Sequence, residues 1–167
     1  MKQILETERL TIRELTHADS AFIIELLNTD GWLRYIGDRN VHSKEDAIRY
    51  LNNGPMKSYV QHGYGLWLVC LKDTGTPIGM CGLIKRDYLE HTDIGFAFLP
   101  AHNGKGYALE SASAVLDYAK DTLRLTTIAA FTVPYNADSV KLIEKLGLRY
   151  KSTFELEGEE LWLYQTV

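Results

Sequence analysis

The chain has 167 residues, a length that suits one domain and allows roughly 70% of the unfolded surface to be buried, so a core forms without disulfide or metal staples. Hydrophobic residues at 46% and charged residues at 24% exclude a disordered or fibrous chain, and a formal net charge of -4 argues against a nucleic-acid surface, which needs clustered Lys and Arg. Cys70 and Cys81 sit in apolar runs without CxxC spacing, and no apolar run reaches the length of a membrane span, so a reduced cytoplasmic protein with no metal, no export signal and no membrane partner is expected.

Residues 9–14 (RLTIRE) alternate like a half-buried strand, and Thr16 stands as a cap before AFIIELL, whose apolar residues fall at helical spacing. Ser43 to Asp46 open a second helix with acidic residues in its first turn. Gly54-Pro55 interrupts it, and a further short helix runs to His62. GLWLVCL and PIGMCGLI, joined across Asp73-Thr74-Gly75, read as a hairpin in a sheet core. Residues 92–99 form a third strand closed by Pro100. Residues 107–120 (YALESASAVLDYAK) carry small and apolar residues at spacings of three and four, which marks the longest helix. Residues 126–133 are β-rich, and residues 137–146 are helical with Gly147 at the C-cap. Two final strands flank Glu157-Gly158-Glu159. This order predicts an α/β (α+β) fold over residues 1–167, a single domain with one mixed sheet flanked by helices.

The informative stretch is LPAHNGKGYALE, residues 99–110, where a strand, a Gly-x-Gly loop and a helix start follow one another directly. Glycines let backbone N–H groups converge, and a helix start leaves its first N–H groups unpaired at the positive end of its dipole, so the stretch reads as a diphosphate site or as a plain tight turn. A Walker A loop is excluded because Gly106, not Ser or Thr, follows Lys105. A dinucleotide fingerprint is excluded because Leu109 stands where its third glycine belongs.

The segments ETERLTIREL, TDIGFAFLPAHNGKGYALE and NADSVKLIEKLG together resemble the GNAT N-acetyltransferases, most closely their RimJ/RimL-like branch, over nearly the whole chain. The family pattern Arg/Gln-x-x-Gly-x-Gly/Ala maps onto Asn103, Gly106 and Ala108, with Asn103 a departure at the first position. The resemblance implies acetyl-CoA as co-substrate and a sheet splayed between the strand ending at Leu99 and the strand at 126–133. It also implies Phe98 and Leu99 along the pantetheine arm, and backbone groups of Asn103, Gly104, Lys105, Gly106, Tyr107 and Ala108 on the diphosphate. Asn136 and Ser139 then lie on the helix start beside the thioester. The implied acceptor is a primary amine, of a protein N-terminus or a small molecule; a homodimer is left open.

Acetyl transfer needs a deprotonated amine, a donor for the oxyanion and a proton for the thiolate. An α-amine, with a pKa of about 7.7 to 8.0, needs less help at neutral pH than a lysine near 10.4. Asp93, beside apolar residues that raise a carboxyl pKa, is the candidate base or else a strand-end aspartate, with His91 and His102 as alternatives. A backbone N–H near Phe98 is the expected oxyanion donor. Ile143 stands where many family members carry a tyrosine that protonates the thiolate, which leaves Ser139, four residues earlier on the same helix face, as the candidate donor to sulfur or as a cap bonding only backbone. The two cysteines read as core, so direct transfer is expected. Glu155, Glu157, Glu159 and Glu160 either solvate the last hairpin or attract a cationic amine, while Trp32, Tyr35, Tyr59, Tyr64 and Trp67 are wall or core. The rival function is a catalytically inert acyl-CoA-binding sensor on the same fold.

Overall fold

The computed structural model describes residues 2–167. Eight strands form one mixed sheet in the order β1-β2-β3-β4-β5-β6-β8-β7. β1 (Gln3–Glu6), β2 (Leu10–Arg13), β3 (Leu66–Leu71), β4 (Pro77–Ile84) and β5 (Asp93–Phe98) pair antiparallel in succession. β6 (Ala129–Thr132) joins β5 in parallel, and β8 (Glu159–Gln165) lies antiparallel between β6 and β7 (Arg149–Leu156).

The unbroken apolar run of β3 follows from a sheet covered on both faces. Trp67 and Val69 enter one core with Ala112, Val115 and Ala119 of α5 (Tyr107–Asp121) and Ile143 of α6 (Ala137–Lys145). Leu68 and Cys70 enter the other, with Phe22, Ile23, Leu26 and Leu27 of α1 (Ser20–Leu27), Trp32 of α2 (Asp30–Tyr35) and Ala47 and Leu51 of α3 (Lys44–Asn53). α4 (Pro55–His62) follows α3 directly, with Pro55 in its first turn and Gly63 closing it at φ 77. Alanines on the sheet side of α5 let it approach closely, while Tyr118 meets Trp67 edge-on at 5.7 Å.

Local signals hold where they were strong. Thr16 and Ser43 each form a reciprocal capping box, with Asp19 and Asp46 respectively, although Thr16 caps a 3-10 turn (His17–Asp19) that leads into α1 rather than α1 itself. Three details differ from the sequence expectation. β1 is an additional strand, short and at the sheet edge, and α2 is an additional six-residue helix capped by Thr29. The β-rich run 126–133 forms a ladder only over Ala129–Thr132, the part opposite β8. No helix among the described residues is long and apolar enough to cross a membrane.

Candidate active site

β5 and β6 share a single bridge, Asp93 to Ala129, where the Ala129 N–H donates to the Thr92 carbonyl at 2.9 Å. Beyond it the strands part. The Leu99 N–H points to β4, donating to the Ile78 carbonyl at 2.9 Å, so strand alternation turns the Phe98 and Phe96 N–H groups to the opposite edge, into the fork. The Phe98 ring is seated by Gly79, where any Cβ would lie 2.4 Å from a ring carbon. A cleft of ≈ 1590 Å³ takes in the fork, from Asp93 at its root, along Phe98, to Asn103, Gly104 and Gly106, and continues past α2 and the α3–α4 junction.

At the head of the cleft Gly104 (φ 75) and Gly106 (φ 84) both adopt the left-handed conformation that disfavours any Cβ. Gly106 is the N-cap of α5 and supplies no side-chain cap, and the first helical bond is Glu110 N–H to the Gly106 carbonyl at 3.0 Å. The N–H groups of the preceding turn therefore have no helical partner, and Gly106, Tyr107 and Ala108 lie on the cleft wall. Uncapped donors, a positive helix end and open space over the loop suit a diphosphate, so the residues present fit coenzyme A. Leu99 and Lys105 are not on the wall. The Leu99 side chain packs with the α1–α3 core, and the Lys105 carbonyl is turned back to accept from Arg9 at 3.0 Å.

Asp93 is a buried carboxylate, only 2% exposed, rather than a surface strand end. Its oxygens face Arg86 Nε at 2.8 Å and Nη2 at 3.4 Å; the same guanidinium donates to the Tyr88 hydroxyl at 3.0 Å and lies over the Phe131 ring at 4.8 Å. Burial pushes the Asp93 carboxyl above the usual range, and the Arg86 charge offsets this only in part. Arg86 is raised as well: burial lowers it, but the facing carboxylate outweighs that. Of the alternative bases, His102 is on the cleft wall, whereas His91 lies away from it, 3.7 Å from Glu90.

Ser139 is half-buried on the wall, one turn before the buried Ile143. The cap of α6 is Asn136, whose Oδ1 accepts from the Ser139 N–H at 3.2 Å, so the serine hydroxyl is not the capping group. Cys70 and Cys81 are buried free thiols, and burial raises both, Cys81 to about 12. Glu157 and Glu159 reach the wall from the β7–β8 turn, while Glu155 and Glu160 face each other across the strands. Trp32 and Tyr35 line the wall. Trp67 is fully buried, Tyr59 is tied to Leu15 and Leu66, and the Tyr64 hydroxyl pairs with Thr92 at 2.8 Å.

A parallel strand pair that forks after one bridge, headed by an uncapped glycine-led helix, suits a ligand with a diphosphate and a long arm, the shape of an acyl-CoA, and so the class of acyl-CoA-dependent transferases. Known proteins agree. The Acetyltransferase (GNAT) domain family matches residues 9–149. The Bacillus subtilis (strain 168) protein YkkB is 30% identical over 98% of this chain and 95% of its own length, and the N-acetyltransferase YnaD of the same organism is 31% identical over 95% and 91%. Among solved structures, a GNAT-family acetyltransferase from Bacillus anthracis is 26% identical with a TM-score of 0.80, covering 98% of this chain and 97% of its own. RimL, a ribosomal L7/L12 α-N-protein acetyltransferase in complex with coenzyme A, shares the fold alone at 15% identity and a TM-score of 0.84, covering 99% and 98%. The chain belongs to the GNAT acetyltransferase family and is an acetyl-CoA-dependent N-acetyltransferase.

Proposed function

We propose that the protein transfers acetyl from acetyl-CoA directly to a primary amine, either the α-amine of a protein N-terminus or an amine of a small molecule, in the manner of the RimJ/RimL-like branch. The observation that carries this reading is the fork between β5 and β6 with the uncapped start of α5 at its head. Bound acetyl-CoA supplies an activated thioester. Gly106, Tyr107 and Ala108 hold the diphosphate through their N–H groups, with Asn103 and Gly104 shaping the loop, and Phe98 lies along the pantetheine arm. Asp93, with its pKa raised by burial, takes up the amine proton directly or through one water. A backbone N–H near Phe98 that faces the fork, with that of Phe96 nearer to Asp93, steadies the negative charge on the acyl oxygen as the C–N bond forms and the C–S bond breaks. Ser139 donates a hydrogen bond to the departing sulfur, whose thiolate then takes its proton from solvent. The buried, high-pKa cysteines support direct transfer over an acyl-cysteine intermediate.

The test mixes the protein with acetyl-CoA and a panel of peptides with free N-termini, polyamines and amino acids, following free thiol and the acetylated product by mass. Thiol release that depends on the amine is the expected result. Coenzyme A binding without turnover on any amine would instead identify an inert acyl-CoA sensor.

A further inference from the structure

The turn between β1 and β2 reaches across to the phosphate loop through one side chain. Arg9 Nε donates to Glu110 Oε2 at 2.7 Å, and Glu110 Oε1 also accepts from the Thr7 hydroxyl at 2.6 Å and the Arg9 N–H at 2.9 Å. The guanidinium is laid over the Tyr107 ring at 4.4 Å, so its plane is fixed from two sides. Burial alone would raise the Glu110 carboxyl, but these donors outweigh it and hold it below its usual range, so the anchor stays charged at neutral pH. From this position Arg9 Nη1 donates to the Lys105 carbonyl at 3.0 Å, and Nη2 sits 3.3 Å from where a Cβ on Gly106 would be. Neither Arg9 nor Lys105 lies on the cleft wall, whereas Gly106 does.

A trans peptide is planar, and its carbonyl and N–H point in opposite directions. The Lys105 carbonyl and the Gly106 N–H belong to one such plane, and the peptide is trans. Drawing the carbonyl back onto Arg9 therefore turns the Gly106 N–H forward, toward the head of the cleft. If this plane flipped, a carbonyl dipole would face the diphosphate in place of a donor. Glycine at 104 and 106 makes the loop permissive enough to flip, so something outside the loop must choose the orientation.

We infer that Arg9 is a positioning residue for the co-substrate: it sets the Lys105–Gly106 peptide so that the Gly106 N–H is aimed at the diphosphate before the ligand arrives. The inference rests on the diphosphate site proposed above. It explains how the loop is ordered although Asn103 lacks the reach of the Arg or Gln of the family pattern. Arg9 does not touch the ligand; it acts through the peptide plane, with Glu110, Thr7 and Tyr107 holding it in place.

The test compares wild type, Arg9→Ala and Arg9→Lys by calorimetric titration with coenzyme A and with pantetheine, which lacks the diphosphate, alongside melting temperatures and the Gly106 amide resonance. Arg9→Ala is expected to weaken coenzyme A binding roughly tenfold to a hundredfold, the loss typical of one hydrogen bond to a charged partner, and to leave pantetheine binding unchanged. The Gly106 amide should shift on adding coenzyme A in wild type and lose most of that shift in Arg9→Ala. Arg9→Lys, which can still reach the carbonyl but not grip Glu110 in the same fork, should fall between. Equal coenzyme A affinity in wild type and Arg9→Ala would overturn the role of Arg9 while leaving the site itself standing. Equal loss for coenzyme A and pantetheine would also overturn it, reducing Arg9 to fold support. Failure of wild type to bind coenzyme A would sink the diphosphate site and the inference together.

Discussion

Replacing Asp93 with Asn separates chemistry from stability, because the carboxylate is both the proposed base and the partner of Arg86. Removing one member of a buried ion pair costs about 3–5 kcal/mol, since the other charge is stranded. Arg86 is 25% exposed, so water recovers part of that loss and about 2–3 kcal/mol is expected. For a chain of this size each kcal/mol lowers the melting temperature by roughly 2–4 °C, which places the drop at about 4–12 °C. Turnover should fall about 10²- to 10⁴-fold with little change in coenzyme A affinity. The second variant, Arg86→Met with Asp93→Asn, removes the stranded charge, and an apolar replacement of a buried pair is often neutral or stabilising. Melting temperature should recover in the double variant, and turnover should not. The pH profile gives an independent reading: burial raises the Asp93 pKa, so the active, deprotonated form is lost on acidification at a pH above the ordinary carboxylate value of about 3.9, and that limb should vanish in Asp93→Asn. Turnover that recovers together with the melting temperature, or a limb that survives the substitution, would refute Asp93 as the base.

Gly106→Val places a β-branched residue at φ 84 and a Cβ 3.3 Å from Arg9 Nη2, so calorimetric titration should show coenzyme A binding lost, with far-ultraviolet circular dichroism unchanged at 25 °C and a stability cost of at least about 1–2 kcal/mol. Ser139→Ala should slow transfer roughly tenfold to a hundredfold with melting within about 0.5 kcal/mol of wild type, because Asn136 carries the cap, whereas Asn136→Ala should cost about 1 kcal/mol. Full activity of Ser139→Ala would remove the hydroxyl from the mechanism. Burial alone would raise Asp19, but Arg13 at 2.8 Å and the Thr16 N–H at 2.9 Å outweigh it and hold the carboxyl below its usual range. Its stabilising contribution is therefore complete above about pH 3.9 and lost as pH falls through the lowered folded value, so urea melts should show Asp19→Asn destabilised at neutral pH with the gap closing toward pH 2.

What the sequence made legible was local. Thr16 and Ser43 announce their helices because the cap and its acidic partner lie three residues apart, and α5 announces itself through small residues at helical spacing. β1 escaped notice because four residues at a sheet edge with half-buried side chains carry almost no periodic signal, and α2 because Gly31 in its first turn masks the Thr29 cap. At the site, the glycine loop, Asp93 and Ser139 stand in recognisable segments. The partners that set their chemistry do not: Arg86 meets Asp93 across the β4–β5 connection, and Arg9 meets Lys105 and Glu110 from 96 and 101 positions away. Such pairings depend on the sheet having formed. The sequence also left the α6 cap open between roles for Ser139, and the structure assigns the capping oxygen to Asn136 instead.

The single bridge between β5 and β6 makes the sheet two leaves on a pin. One leaf, β1 to β5, carries the glycine loop; the other, β6 to β8 with α6, carries Ser139 and the acidic turn of the last hairpin. Beyond the bridge each leaf keeps its own hydrogen-bond ladder, and the leaves are held together by side chains of one shared core rather than by backbone pairing. Substitutions on the far leaf thus alter the Ser139 side of the cleft without touching the Gly104 to Gly106 loop.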